Sequence, residues 1–127
     1  MNAPTFPRFK QLAEQQSAHI KRSFTDADLE HWRQLAEMDQ SPESVPEPLI
    51  AGLFSYLLGM ELPGKGTNYL KQSMTFLQPA LANEALTATV RISRLRPDKA
   101  LVNLETTCTG EQDRLICRGE ALVLFQC

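Results

Sequence analysis

The chain has 127 residues, a formal net charge of −2, and 43% hydrophobic and 22% charged residues. This size and balance are typical of one globular domain with a buried core, and they exclude wholesale disorder. The lack of a basic excess argues against nucleic acid or an anionic membrane as the main partner. We expect a single domain over residues 1–127, with a short N-terminal extension over residues 1–18.

Neither the start of the chain nor its most apolar stretch has the pattern of a membrane-targeted protein. Residues 1–7 lack the basic start and the apolar run of a signal peptide. The longest apolar stretch, residues 49–58, is too short to span a bilayer, and Ser55 and Tyr56 interrupt it. We therefore expect a cytoplasmic protein.

The cysteines are Cys108, Cys117 and Cys127, and no Cys-x-x-Cys pair is present. This pattern fits neither a disulfide framework nor a zinc site. Cys108 and Cys117 fall in predicted strands, where they are interpreted as core residues. A catalytic thiol is the alternative, and it would need a base close by. No metal is expected, because no histidine pair or carboxylate cluster has metal-ligand spacing.

The first half of the chain predicts a short strand, over residues 19–24, and then two helices. Thr25 is a good N-cap for the first helix, whose apolar side chains recur at helical spacing to about Met38. A loop over residues 39–48 follows, and its three prolines forbid regular structure. The second helix is predicted to start near residue 48 or 49 and to end at Gly59 as a left-handed cap. It is apolar on nearly all faces, which predicts a buried position.

The second half of the chain predicts four strands joined by turns. Apolar residues at alternate positions, with Leu70 among them, indicate strands over residues 67–77 and over residues 85–93. A third strand carries Val102 to Cys108 on alternate positions, and the last covers residues 115–125. Because the last strand is apolar on both faces, we place it away from a sheet edge. The order of elements predicts the α+β class, with an antiparallel sheet around a buried helix.

Four short motifs carry a resemblance to a known family. They read SFTDAD at residues 23–28, LPGKGTNYL at 62–70, QSMTFLQP at 72–79 and GEALV at 119–123. In this order and spacing the chain resembles the MaoC-like (R)-specific enoyl-CoA hydratase and dehydratase family, from about residue 20 to the C-terminus. The resemblance implies a hot-dog fold, in which an antiparallel sheet wraps a long central helix.

The resemblance also implies an activity, the reversible addition of water to an enoyl thioester of coenzyme A. The family places an Asp and a His around the reacting water, and two fixed acid–base groups are what this chemistry requires. In the corresponding loop, DQSPES at residues 39–44, Asp39 and Pro42 match the family motif. Ser44 stands where the family has His, and a serine without a base cannot accept a proton near pH 7. Glu43 and Glu47 are further candidates for the second group.

The family's central helix often starts with His-Gly, and the equivalent positions here are read as Ala51 and Gly52. The resemblance implies that the Gly52 N–H stabilises the thioester oxygen and that Ala51 lies beside the substrate. Arg91, Arg94 and Lys99 collect around one strand end, where they could meet the phosphates of coenzyme A. A solvated surface is the alternative for these three cations.

Three functions remain open at this level. The first is an acyl-CoA hydratase or dehydratase, a lyase in which Asp39 orients the water. The second is a degenerate acyl-CoA-binding module or partner subunit. The third is an acyl-CoA thioesterase. The resemblance implies no cofactor beyond the coenzyme A of the substrate. It also implies a homodimer, which would protect an exposed strand edge.

Overall fold

The computed structural model describes residues 5–127. Its helices are α1, Asp26–Leu35, and α2, Glu47–Met60. Its strands are β1, Ser17–Arg22; β2, Thr67–Phe76; β3, Leu86–Arg96; β4, Leu101–Thr109; and β5, Leu115–Phe125. The five strands form one antiparallel sheet in the order β1-β3-β4-β5-β2. The predicted α+β class and the predicted order of elements are both present.

Helix α1 begins where the sequence predicts, because Thr25 and Asp28 form a capping box. The Thr25 hydroxyl accepts a hydrogen bond from the Asp28 N–H (3.1 Å), and the Asp28 carboxylate accepts one from the Thr25 N–H (2.9 Å). The helix ends at Leu35, earlier than the predicted Met38. Glu37 has a φ of 55°, a left-handed conformation that cannot continue the helix.

Helix α2 lies across the inner face of the sheet and contacts β1, β2 and β3. Ile50, Phe54 and Leu57 are buried on its sheet side, whereas Tyr56 on the opposite side is 46% exposed. The predicted burial is therefore confirmed for one side of α2 and not for the other. The predicted cap at Gly59 is wrong, because the helix continues to Met60.

The inner face of the sheet follows the predicted alternation. Leu86, Ala88, Val90 and Ile92 of β3 are fully buried, and the alternate residues of β4 from Val102 to Cys108 are buried with them. Strand β5 lies between β4 and β2, so its predicted position away from an edge is confirmed.

Leu70 interrupts the apolar alternation of β2, because the β2–β5 register shifts between Tyr69 and Lys71 and Leu70 is 53% exposed. The N-terminal segment packs on the fold: Phe9 is buried, and its N–H donates to the Cys127 carbonyl oxygen (2.9 Å). Among the described helices, none has the length and apolar character needed to cross a membrane.

Candidate functional site

A cavity of about 280 Å³ lies between the N-terminal end of α2 and the segment that follows β2. It opens to solvent on one side, and its inner wall is apolar where Ile50 and Phe76 face it. Polar groups reach it from the loop before α2 and from the first turn of α2. The complete lining is Ser44, Val45, Glu47, Ile50, Phe76, Leu77, Gln78, Pro79 and Ala80.

One backbone hydrogen bond fixes the inner end of the loop that precedes α2. The Val45 N–H donates to the Ala80 carbonyl oxygen (2.8 Å), and both residues are buried. Buried backbone groups are almost always paired, so this bond holds the loop against the opposite wall of the cavity. As a result the half-buried Ser44 lines the cavity, whereas Glu43 next to it is exposed and lies outside the lining.

The outer end of the same loop is held by α1. Arg33 donates through Nη1 to the Met38 carbonyl oxygen (3.0 Å), and the Ser41 hydroxyl donates to Glu30 Oε2 (2.7 Å). Hydrogen bonds from Arg33, and then from Ser41, lower the pKa of Glu30 to about 2. Glu30 therefore remains an ionised acceptor at neutral pH, and the loop is tied down on both sides of Pro42.

A buried ion pair supports the far wall of the cavity. Glu84 is 4% exposed, and its Oε1 lies 2.7 Å from Arg114 Nη1. Arg114 also donates to the Pro79 carbonyl oxygen (3.0 Å), while Glu84 accepts from the N–H groups of Leu81 and Glu111 (both 2.8 Å). These donors, Arg114 first, lower the pKa of Glu84 to about 2 despite its burial. The pair links the wall after β2 to the β4–β5 turn.

The first turn of α2 supplies a positive end to the cavity. The N–H groups of a helix's first residues have no partner inside the helix, and they favour nearby negative charge. Pro48 has no N–H, and the Leu49 N–H turns back to the Pro46 carbonyl oxygen (3.0 Å). The N–H of Glu47, the first residue of α2, is then the donor without a partner inside the helix. The lining therefore combines the N-terminal end of α2, Ser44 and Glu47 with an apolar wall.

Comparison with known proteins identifies the fold and the family. A scan against models of protein families finds no match. A protein of Rhodospirillum rubrum named (R)-specific enoyl-CoA hydratase is 33% identical over 131 residues, 91% of this chain and 90% of that protein. The chain belongs to the (R)-specific enoyl-CoA hydratase family. Another relative of that name, from Aeromonas caviae, is 44% identical over 75 residues, which cover 59% of this chain and 56% of that protein.

Solved structures agree with this assignment. The (R)-hydratase from A. caviae involved in PHA biosynthesis superposes with a TM-score of 0.83 at 32% identity, covering 91% of this chain and 98% of that one. An R-hydratase of Pseudomonas aeruginosa in unliganded form gives 0.82 at 21% identity over 92% and 84% of the two chains, which shows the fold alone. A hot-dog-like protein from Thermanaerovibrio acidaminovorans gives 0.65 at 14% identity, covering 91% and 84%. The predicted hot-dog fold and family resemblance are confirmed.

Within this hydratase-family chain, the residues expected from the motif do not all meet. Ser44 lines the cavity. Pro42 is half-buried, and Asp39 is exposed on the outer part of the loop, outside the lining. Within one chain, Ser44, at the position of the family's His, therefore lines the cavity. Asp39, which matches the family's Asp, lies at the surface of the loop.

Gly52 lies inside helix α2 and not at its first residue. It is the sixth residue of α2, Glu47–Met60, so its N–H belongs to the ladder of hydrogen bonds inside the helix. A Cβ built on Gly52 meets nothing within 4 Å, so no strand of this chain approaches it closely. Gly52 is exposed, and neither it nor the half-buried Ala51 belongs to the lining. The role of the Gly52 N–H as an oxyanion donor stays a prediction, and Glu47 is the helix-start residue that lines the cavity.

The three expected phosphate-binding cations also lie away from the cavity. Across the sheet, Phe76 at the cavity pairs with Cys117, which pairs with Cys108, which in turn pairs with Ala88. The cavity therefore lies at the level of the start of β3. Arg94 and Lys99 lie at or beyond the other end of β3, and both are exposed.

Arg91, in the middle of β3, is engaged by its neighbours. It forms a salt bridge with Glu105 and donates to Gln15 Oε1 (2.6 Å). Within one chain, these contacts make Arg91 part of the solvated sheet surface.

The cysteine prediction is confirmed for the two strand positions. Cys108 and Cys117 are fully buried. Burial raises the pKa of the Cys108 thiol to about 12 and that of the Cys117 thiol to about 11. Both thiols are therefore protonated at neutral pH, which removes the nucleophilic form.

Two parts of the site were not predicted from the sequence motifs. The wall from Phe76 to Ala80 falls in a motif used to recognise the family, but the sequence did not indicate that it lines a cavity. The sequence made Glu47 a candidate for the second acid–base group only because it lies close to the loop at residues 39–44. The signal that could have found it is Pro48, because proline is favoured in a first helical turn and so places Glu47 at the start of α2.

Proposed function

We propose that the chain catalyses the reversible addition of water to an enoyl thioester of coenzyme A, as a hydratase or dehydratase. The observation that carries this proposal is the cavity at the N-terminal end of α2, in a chain of the hydratase family. Its apolar wall suits an acyl chain, and its polar groups suit water and a thioester oxygen. The coenzyme A of the substrate is the only cofactor proposed, and acyl-CoA as a soluble substrate supports a cytoplasmic location.

The chemistry assigns a task to each polar group. The water oxygen bonds to the β carbon, the α carbon gains a proton, and the thioester oxygen carries negative charge in between. We assign the stabilisation of that charge to the Glu47 N–H at the positive end of α2. Ser44 holds the water by a hydrogen bond, and Asp39 on the same loop is the proposed water-orienting carboxylate.

The proposal includes a homodimer. Strand β2 is an edge of the sheet, and the outer side of α2 is open, so a second copy has both surfaces available. We propose that Arg94 and Lys99 contact the coenzyme A phosphates from the second chain, since in their own chain they lie at the far end of the sheet. Arg91 is proposed as a third cation that contacts these phosphates.

The test is the absorbance of the enoyl-thioester band, followed with purified protein and enoyl-CoAs of several chain lengths. Wild-type protein is expected to remove the band, and Asp39→Ala is expected to lower the rate because the water loses its orienting group. Free thiol is measured in the same samples. An unchanged enoyl band in wild-type samples would contradict the proposal. If Asp39→Ala reacts as fast as wild type, Asp39 does not orient the water.

The alternative is an acyl-CoA-binding module or partner subunit without turnover. Ser44 in place of the family's imidazole, with Asp39 outside the cavity lining, favours it. Saturable acyl-CoA binding by calorimetry with an unchanged enoyl band would establish this alternative. Release of thiol would instead identify a thioesterase.

A further inference from the structure

Among the acidic residues of the loop and the helix start, Glu47 lines the cavity, and it is exposed to solvent. Glu47 lines the cavity together with Ser44, whereas Asp39 and Glu43 lie outside the lining. A group that exchanges a proton with the reacting water must come within hydrogen-bond distance of it. Of these three acidic residues, Glu47 is the one that belongs to the cavity lining.

We propose that Glu47 is the general base and general acid of the water addition, in the role that an imidazole at position 44 would otherwise fill. This inference rests on the proposed function. The Glu47 carboxylate removes a proton from the water as the water oxygen bonds to the β carbon and the carbon–carbon π electrons move toward the thioester oxygen. The protonated Glu47 then gives that proton to the α carbon as the thioester carbonyl re-forms. Water is consumed, and the carboxylate is regenerated.

The charges of the site favour this sequence. Glu47 loses its negative charge when it accepts the proton, at the moment when the thioester oxygen becomes negative. The site therefore holds one negative charge throughout, and the N-terminal end of α2 favours that charge on either group. Ser44 cannot make this exchange, because a hydroxyl without a partner base does not accept a proton near neutral pH.

The negative charge of Glu47 also influences a buried residue beside the cavity wall. Burial, followed by the negative charge of Glu47, raises the pKa of the Cys117 thiol to about 11. Cys117 is fully buried and pairs across the strands with Phe76, which forms the apolar wall of the cavity. Glu47 thus acts electrostatically on a residue behind that wall.

The test compares Glu47→Gln with Glu43→Gln. Glutamine keeps the size and the hydrogen-bonding capacity of glutamate and removes its ability to exchange the proton. We expect Glu47→Gln to lower kcat for loss of the enoyl band by about 100-fold or more, the usual contribution of an acid–base group. Glu43→Gln makes the same change in the same loop outside the cavity, and its kcat is expected to match wild type.

A rescue experiment separates chemistry from folding. Glu47→Gly leaves space where the carboxylate was, and formate supplied in solution can occupy it. Turnover that rises with formate concentration is expected for Glu47→Gly, and no rise is expected for wild type or for Glu43→Gly. Circular dichroism spectra verify that each variant is folded.

The outcomes for the inference and for the proposed function differ. Wild-type turnover together with full kcat in Glu47→Gln overturns the role of Glu47 and leaves the proposed function in place. A Glu47→Gly variant that is folded, inactive and insensitive to formate also overturns it. No turnover by wild type overturns the proposed function, and the role of Glu47 with it.

Discussion

Glu84 combines deep burial with several hydrogen-bond donors, and its charge determines how firmly the cavity wall is held. The carboxylate pairs with Arg114 and accepts backbone N–H groups from Leu81 and Glu111. A buried charge is costly unless it is paired in this way. The folded state therefore stabilises the ionised form of Glu84.

We expect Glu84→Gln to reduce the free energy of unfolding at pH 7 by about 3 kcal/mol, the value that its pKa shift implies. Folding lowers the pKa of Glu84 from 4.5 to about 2. The contribution of the charge is thus fully present above pH 4.5 and is lost as the pH falls toward 2. Chemical denaturation at pH 7 and pH 3 should show the gap between wild type and variant narrowing at the lower pH.

Glu30→Gln is the control for this prediction. Glu30 also has its pKa lowered to about 2, by Arg33 first and then Ser41, but its side chain is 43% exposed. Solvent and salt screen exposed pairs, so we expect a smaller loss of stability that shrinks further with added salt. Equal losses of unfolding free energy in the two variants would show that burial of Glu84 does not increase the contribution of its charge to stability.

The sequence could indicate the loop of the site but not the side chains that face the cavity. Ser44 was found because its position matches a family motif, and its place in the lining agrees with that. Asp39 matches the same motif and still lies outside, because its orientation depends on how α1 holds the outer loop. Glu84 belongs to no motif. Its partner Arg114 is distant in sequence and comes close only when the strands pair.

Gly119 of β5 lies against the backbone of β2. A Cβ built on Gly119 would lie 1.8 Å from the Ser73 carbonyl oxygen and 3.0 Å from the Met74 Cα. The obstacle is backbone in a paired strand, which cannot move without breaking the ladder. The glycine is therefore required by close contact between strands.

We expect Gly119→Ala to lower the free energy of unfolding by about 1–3 kcal/mol or more, as overpacking typically does. The matched control is Gly52→Ala, because a Cβ there meets nothing within 4 Å. Alanine is favoured over glycine inside a helix by about 1 kcal/mol, so this variant should be as stable as wild type or more stable. Denaturant melts of the three proteins test both expectations. A stable Gly119→Ala would show that β2 and β5 can separate at that point.

Elements with strong periodicity were predictable, and irregular positions were not. Strands β3 and β4 alternate cleanly because one face is buried in the core and the other is less buried. The shift at Leu70 interrupts β2 where the sequence still alternates, since a bulge depends on pairing with β5. Gly59 resembled a helix cap, but the glycines with positive φ are Gly64 and Gly66, in the following turn.

At the scale of the whole molecule, the order of elements and the family motifs determined the fold class, whereas surfaces that meet another chain leave a weaker signal. The exposed apolar side chains include Tyr56 and Met60 on α2 and Tyr69 and Leu70 on β2. These two elements contact each other, and β2 is an edge strand. A sheet edge with apolar side chains is a surface for pairing. We therefore expect the second copy of the proposed homodimer to bind along β2.

Sedimentation equilibrium over a range of concentrations tests this arrangement. Wild type is expected to have the mass of a dimer, and Leu70→Glu is expected to shift toward the mass of a monomer, because the same change places a charge on the edge of both copies. Leu35→Glu is the control, since Leu35 is 82% exposed on α1, away from β2. A monomeric wild type, or dissociation by Leu35→Glu alone, would contradict the β2 interface.

If Leu70→Glu is monomeric, we expect its KM to increase, because it loses the cations proposed to reach the substrate from the second chain. We expect kcat to change less, because the proposed acid–base residues lie within one chain.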